Sequence, residues 1–278
     1  MENNDINRLV RQAKAGKRDA LEQLIARTQD QVYRLALRML AHPDDASDAT
    51  QEILIRVITQ LGSFRGESRF TTWLYRVAVN HLVSSKRSRI EAQRYTFERF
   101  GEELEQNLVE PADANDAPVD QSLLLDEIRV GCTLGMLTCL DRDHRIAYIL
   151  GEILEIDSSE GAAILNISPA AFRKRLSRAR TSIVDFMKAK CGLVNPNNSC
   201  RCRRRLNFAR QIGRLDPERL YFIGTLSEAR RFPQVLKEIR QLKATQRAAA
   251  VYRSHPHHLA PRDFVASIRA LIENTNPA

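Results

Sequence analysis

Gly62-Ser63-Phe64-Arg65-Gly66-Glu67-Ser68-Arg69-Phe70-Thr71-Thr72-Trp73-Leu74-Tyr75-Arg76-Val77-Ala78-Val79-Asn80 is the stretch from which the chain is read outward. It starts as a polar segment punctuated by Gly62 and Gly66, and at Phe70 it passes into an apolar run holding the chain's only tryptophan, Trp73. Turn residues followed by periodic apolar residues predict a loop and then a helix over about 70–95. Arg65, Arg69 and Arg76 alternate with Phe64, Phe70 and Trp73. Cations beside flat rings neutralise a nucleic-acid backbone and stack unpaired bases, so the pattern points to single-stranded nucleic acid. At least one of Phe70 and Trp73 is also expected in the core.

The segment Phe64-Arg65-Gly66-Glu67-Ser68-x-Phe70-x-Thr72-Trp73-Leu74-Tyr75-Arg76-Val77-Ala78-x-Asn80 resembles the promoter-melting segment of bacterial sigma-70-type initiation factors of the small extracytoplasmic-function (ECF) group. Asp44-Asp45-Ala46-x-Asp48-x-x-Gln51-Glu52 resembles that family's polymerase-binding segment, and Phe172-Arg173-Lys174-Arg175-Leu176-Ser177-Arg178-Ala179-Arg180 its final recognition helix. The three stand in the family's order over roughly residues 5–190. The resemblance implies an all-α protein with a polymerase- and minus-10-binding domain over 1–97, an acidic linker over 98–119 and a helix-turn-helix domain over 120–190. A basic helical extension over 191–278 lies outside it.

By the same resemblance, Asp45, Asp48, Gln51 and Glu52 meet core RNA polymerase, Asp48, Gln51 and Glu52 sharing one helical face at i, i+3 and i+4. Minus-10 DNA, duplex and melted, falls to Phe64, Arg65, Arg69, Phe70, Trp73, Arg76, Asn80, Lys86 and Arg87, with the loop 62–69 holding a flipped base. Minus-35 DNA falls to Ser168, Ala170, Arg173, Lys174, Arg175, Arg178 and Arg180. No cofactor and no catalysis are implied. Ser84 stands where many relatives carry an acidic residue, Asn166 where they usually have Gly, and Leu140-Asp141 where they usually show Leu-Pro.

Charge is segregated along the chain. Residues 1–190 hold 27 Lys and Arg against 28 Asp and Glu, whereas 191–278 hold 16 against 6, so the net charge of +9 belongs to the tail. DNA binding is therefore argued from the local excess at 173–190, seven bases to one acid, and not from the overall balance. No apolar run reaches the ~18 residues of a membrane span. The start Met1-Glu2-Asn3-Asn4-Asp5 is polar and acidic, unlike a signal peptide, and the chain reads as cytoplasmic.

Helical spacing of Ile6, Leu9, Val10 and Ala13 ends at Gly16, Asp19 is placed to cap a second helix, and Pro43-Asp44-Asp45 opens a third. Residues 98–120 lose periodicity and read as acidic linker. Asp157-Ser158-Ser159-Glu160 matches a capping box, Asn166 suits a left-handed turn, and Ser168-Pro169 starts the basic helix. Gly161 in the first of these two helices is expected to weaken it by about 1 kcal/mol relative to Ala.

In the tail, Asp216-Pro217 is expected to start a helix. Leu236, Ile239 and Leu242 form one stripe, and Phe264, Val265, Ile268, Leu271 and Ile272 another.

Cys132 and Cys139 read as core residues. Cys191, Cys200 and Cys202 have three open readings: a structural zinc site completed by His255, His257 or His258, unligated thiols, or a redox switch whose arginine neighbours favour thiolate. The family resemblance gives a promoter-specificity subunit, with an anti-sigma partner or self-regulation by the extension. The rival reading is a stand-alone helix-turn-helix regulator with a helical sensor domain.

Overall fold

The computed structural model describes residues 2–106, 108–109, 120–223, 225–261 and 263–275, and among these the chain is all-α. Helix α1 (Glu2–Lys14) stops at Gly16, whose φ of +82° costs glycine nothing. Helix α2 (Arg18–Leu40) carries the long apolar stripe, and Asp19 sits in its first turn; the N-cap position belongs to Lys17, which makes no side-chain cap. A left-handed Ala41 closes α2 and His42 caps α3 (Pro43–Gln60), accepting from the Asp45 N–H at 3.4 Å. Ile53, Leu54 and Val57 of α3 point into the core with Leu35 and Met39 of α2.

Helix α4 (Phe70–Ser84) is shorter than the periodicity suggests. Ser84 and Ser85 turn their hydroxyls back onto the carbonyls of Asn80 and Leu82, and the guanidinium of Arg142 takes the carbonyls of Val83, Ser85 and Lys86 at 3.0, 2.6 and 2.9 Å. The last turn is satisfied from outside, so no further helical bonds are needed.

The supposed linker begins as a helix. Thr96 caps α5 (Phe97–Glu105), and Phe100 and Leu104 are buried, with Phe97 and Phe100 stacked on Phe186 at 5.1 and 5.9 Å. The apolar spacing of Phe97, Phe100 and Leu104 is helical, but it is hidden among glutamates on the outer face. The acidic stretch Glu110-Pro111-Ala112-Asp113 through Pro118 lies outside the described residues.

Asp120 caps α6 (Gln121–Thr138) and Asp141 caps α7 (Arg142–Tyr148), which unwinds through a π-helical turn at Ile149–Ile153. Helices α8 (Ser158–Leu165) and α9 (Pro169–Lys190) follow, joined by Asn166 at φ 53° and opened by Asp157 and Ser168 respectively. Gly161 is a packing requirement: a Cβ there would come within 2.5 Å of the Phe172 ring, so its absence lets α8 and α9 close together.

In the tail, Asp216-Pro217 forms only a turn, in which the Asp216 carboxylate accepts from Glu218 N at 3.0 Å. The helix starts later, at a Thr225–Glu228 capping box, as α11 (Leu226–Gln241); it follows α10 (Leu206–Gln211) and precedes α12 (Ala244–Arg253) and α13 (Phe264–Thr275). Ile239 is buried, whereas Leu242 is exposed. Phe264 and Ile268 are buried in the common core; the side chains of Leu271 and Ile272 lie outside the described residues.

Most buried apolar side chains form one cluster from Leu9 to Ile268, and Leu124, Leu206, Ala209 and Leu215 form a second, smaller one. The polar lock of the larger cluster is Glu91, which accepts from Arg142 Nε and Nη2 at 2.9 and 2.6 Å, Arg145 Nη1 at 2.7 Å and Ser88 N at 2.9 Å. Arg145 spends its remaining donors on the carbonyls of Met39, Leu137, Thr138 and Leu140. Burial by itself would raise the Glu91 pKa, but the bonds from Arg142 and Ser88 and the charge of Arg145 outweigh it and hold the carboxyl down at about 2.

Removing one member of such a buried group leaves charge uncompensated, so Glu91→Ala should cost about 3–5 kcal/mol in urea denaturation at neutral pH. Because the folded-state pKa is depressed, this stabilisation is complete above the unfolded-state value near 4.5 and is lost as pH falls toward about 2. The parent's urea midpoint should fall across that window more steeply than that of Glu91→Gln. Gly161→Ala should destabilise: the overpacking cost of about 1–3 kcal/mol outweighs the gain of about 1 kcal/mol in helix propensity, and a raised midpoint would refute it.

Candidate polymerase and nucleic-acid interface

On α3, Asp48 and Glu52 lie on the exposed face while Asp45 and Gln51 are half-buried. Asp45 is partly engaged, accepting from Arg89 N at 2.8 Å and facing the Arg89 guanidinium at 3.5 Å. Glu52 stands 3.7 Å from His81 Nε2, but burial pushes that imidazole's pKa down against the pull of Glu52. A neutral His81 leaves the Glu52 charge facing outward. The acidic face expected from the spacing is therefore present, with Asp45 at its edge.

The loop before α4 turns at Gly66, φ +80°, and is tied down by Lys14, whose ammonium donates to Phe64 O at 2.8 Å. Phe64, Phe70 and Trp73 form a triangle with ring centroids 5.6 Å apart. Phe64 is 8% exposed and Phe70 0%, so both are core anchors here and neither offers a ring face for a base; Trp73 is half-buried. The reason is local: the polar loop has no apolar core of its own and gains one by burying its two phenylalanines. Arg65, Arg69, Asn80, Lys86 and Arg87 are exposed.

Ser168 accepts from Ala171 N at 3.2 Å to open α9, and Ala170, Arg173, Lys174, Arg178 and Arg180 are exposed while Phe172, Leu176 and Ala179 are buried. The arrangement is a helix-turn-helix, with a capped first helix, a left-handed Asn and a second helix with a basic outer face. Two of its cations are held within the chain: Arg175 pairs with Asp143 at 3.1 Å, and Arg180 Nε with Glu152 at 2.8 Å.

The candidate minus-10 helix touches α8, the helix that leads into α9. Thr72 Oγ1 of α4 donates to Glu160 Oε1 of α8 at 2.6 Å, and Arg76 Nε donates to Ala163 O at 3.1 Å. Asp157 makes its half of the expected capping box, bonding Ser159 N and Glu160 N, while the Glu160 carboxylate is taken by Thr72. Sequence reading placed Glu160 at a cap and Thr72 in a motif; a contact across 88 positions leaves no periodic trace.

The cysteine expectations change as well. Among the described residues no three His, Cys, Asp or Glu side chains already stand as a metal site. His255 is bonded to Thr133 Oγ1 at 2.8 Å, His258 is buried among other groups and His257 is exposed, so no imidazole completes the set. Burial also pushes the Cys200 and Cys202 thiols up to about 11 and 12 despite the neighbouring arginines, which removes the ready thiolate of a redox switch.

Residues 24–90 match the family model described as Sigma-70 region 2. The chain is 31% identical over 179 residues to the ECF RNA polymerase sigma-E factor of Escherichia coli K12, covering 63% of this chain and 90% of that one. It is 29% identical over 183 residues to the RNA polymerase sigma-H factor of Pseudomonas aeruginosa (63% and 90%) and 28% identical over 178 residues to the ECF factor SigW of Bacillus subtilis (64% and 94%). A solved structure of CnrH in complex with the cytosolic domain of CnrY aligns at TM-score 0.45 and 24% identity, over 65% of this chain and 97% of that one. With the acidic α3 face, the arginine-flanked loop and α4, and the capped basic α9 in one order, the chain belongs to the sigma-70 family of RNA polymerase initiation factors, in its ECF group.

Proposed function

We propose that this chain directs bacterial core RNA polymerase to a specific set of promoters and starts transcription there, catalysing no reaction itself. The observation that carries the reading is the succession of an exposed acidic face (Asp48, Glu52), exposed cations on either side of α4 (Arg65, Arg69, Lys86, Arg87) with Asn80 exposed on it, and a basic helix-turn-helix (Arg173, Lys174, Arg178). The acidic face suits a basic partner helix of polymerase, the cationic strip suits melted minus-10 DNA, and the α9 N-terminus suits base edges of the minus-35 element. A sensor domain has no use for the first two, which disfavours the stand-alone regulator. The site of action is then the cytoplasm, where core polymerase meets the promoter.

The closed arrangement supports self-regulation by the extension. Promoter elements at minus-10 and minus-35 lie roughly 85 Å apart at about 3.4 Å per base pair. Helix α4 touches α8, which leads directly into α9, so both elements cannot be read at once until the two units part. About 15 residues between α5 and α6 reach about 50 Å when extended, which leaves the two units slack to part. The extension opposes it by joining both units: Phe264 N bonds Gln29 Oε1 at 3.2 Å and Ala260 N bonds Asp30 Oδ1 at 2.9 Å on α2, while Arg253 Nε bonds Glu152 O at 2.7 Å beyond α7. An anti-sigma protein would stabilise the same closed form from outside.

Run-off transcription with purified core polymerase tests the main reading; no complex in gel filtration and no promoter-dependent transcript would end it. Arg173→Ala should lower minus-35 discrimination by about 1–3 kcal/mol, and a loss spread evenly over all sequences would reassign Arg173 to phosphate. Ile268→Asp, which undocks α13 from α2, should raise transcription at limiting core polymerase. Misfolding cannot raise activity, so unchanged or lower output argues against a restraining tail.

A further inference from the structure

Between α12 and α13 the extension carries a histidine-rich stretch, Ser254-His255-Pro256-His257-His258, at its contact with α2 and α6. His255 and His258 are 7% and 8% exposed, and their rings stand 6.4 Å apart, edge to face. Behind His255 is Thr133 of α6, whose hydroxyl lies 2.8 and 2.9 Å from the carbonyls of Arg129 and Val130. The hydroxyl proton goes to those carbonyls, which leaves the oxygen to accept from His255 Nε2 at 2.8 Å. A neutral ring with its proton on Nε2 completes that bond. An imidazolium must donate from both nitrogens, and His258 Nε2 is buried with no hydrogen-bond partner among the described residues. Both rings therefore suit this place only when uncharged.

We infer that His255 and His258 are a proton-sensitive catch, which holds the extension on α2 and α6 while both rings are neutral and releases it when the freed rings take up protons. Its effect on transcription rests on the restraining role proposed above for the extension. The charged groups that face the two rings are positive: Arg34 and Arg38, one turn apart on α2, and Arg129 on α6. Arg38 Nε is itself buried without a partner among the described residues. The carboxylates of these helices at the contact are committed elsewhere. Asp126 accepts from Arg129 Nε at 2.7 Å, Glu127 from the N–H groups of Tyr221, Phe222 and Ile223, and Asp30 from Ala260 N at 2.9 Å. From the extension itself, Tyr252 sets its ring 5.7 Å from that of His255, and His257 is exposed. A proton added to either ring joins three guanidinium groups and meets no free carboxylate among these.

Burial, and after it the charges of Arg38 and Arg34, hold the His258 imidazole down at about 4, and burial with Arg129 and Arg38 pushes His255 well below its ordinary value. Because both docked values lie below that of a free histidine, docking is fully favoured above about 6.5 and weakens as pH falls toward about 4. Between about pH 7.5 and 5.5, an imidazole that is free at about 6.5 and neutral when docked changes the docking constant roughly tenfold, and two change it roughly 100-fold. Asp126 and Glu127 act with the opposite sign: burial raises their carboxyls, so acid favours the docked form through them.

The test follows hydrogen exchange in the full chain at the amides of Ala260 and Phe264, which bond Asp30 and Gln29 of α2, with rates corrected for the intrinsic pH dependence of exchange. Protection there should fall on the order of 10- to 100-fold from about pH 7.5 to 5.5, while amides inside α2 and α3 keep theirs. His255→Gln and His258→Gln, which take up no proton, should each remove about tenfold of that fall, and the double variant should show no fall or the reverse slope carried by Asp126 and Glu127. Imidazole resonances of the parent decide the matter without any variant: both rings should stay neutral at about pH 6, and rings that titrate as free histidines overturn the catch. Protection that does not change with pH, a fall that survives in the double variant, or an equal fall throughout α2 and α3, which is general acid unfolding, overturns it too. Transcription separates the catch from the restraint. If Ile268→Asp is more active than the parent but the parent's exchange does not respond to pH, the restraint stands and the catch falls. If Ile268→Asp is no more active but the exchange responds as expected, docking is proton-linked and the restraint is what falls.

Discussion

A buried carboxylate between two arginines decides how the halves of this protein sit. Glu91 comes from the loop after α4, Arg142 and Arg145 from α7, and together they close the carbonyl ends of α4 and α6 as well as one another's charge. Each arginine has more donors than one carboxylate can absorb. The surplus goes to backbone carbonyls at helix ends, which are the acceptors a helix leaves unsatisfied. The result is an interface that is polar at its centre yet has its charges matched, and it orients α4 against α8.

That orientation carries a functional cost and a functional opportunity. The helix suited to minus-10 DNA and the unit suited to minus-35 DNA are packed together, with Thr72 and Arg76 spent on α8 and with Arg175 and Arg180 spent on Asp143 and Glu152. Surface pairs of this kind contribute little each and are exchangeable for phosphates. The apolar core beneath them, continuous into Phe264 and Ile268 of the tail, is the stronger restraint. A tail that reaches α2, α6 and α9 at once is placed as the proposed restraint on the distance between units requires.

Much of this was legible from local chemistry. Caps at Asp157 and Ser168, the left-handed Asn166, the stop at Gly16, the Pro43 start and the basic face of α9 follow from the side chains themselves, because each acts within about four positions on its own backbone. The acidic face of α3 follows from helical spacing alone. The family resemblance carried the order of the units and their partners.

What the sequence could not settle always involved a partner far away. Helix α4 ends at Ser84 because Arg142 arrives there, α5 is a helix because Phe186 covers it, Phe64 and Phe70 are anchors because a loop borrowed the core, and Gly161 is needed because Phe172 lies against it. Cys132 packs against the core as its apolar neighbours in sequence suggest, and His255, one of the imidazoles weighed as a zinc ligand, is bonded to Thr133 instead. Periodicity and capping are written in the order of residues, so the sequence alone determined helices, turns and charged faces. Contacts across many tens of positions depend on which apolar surfaces find each other, and only the tertiary structure decided those.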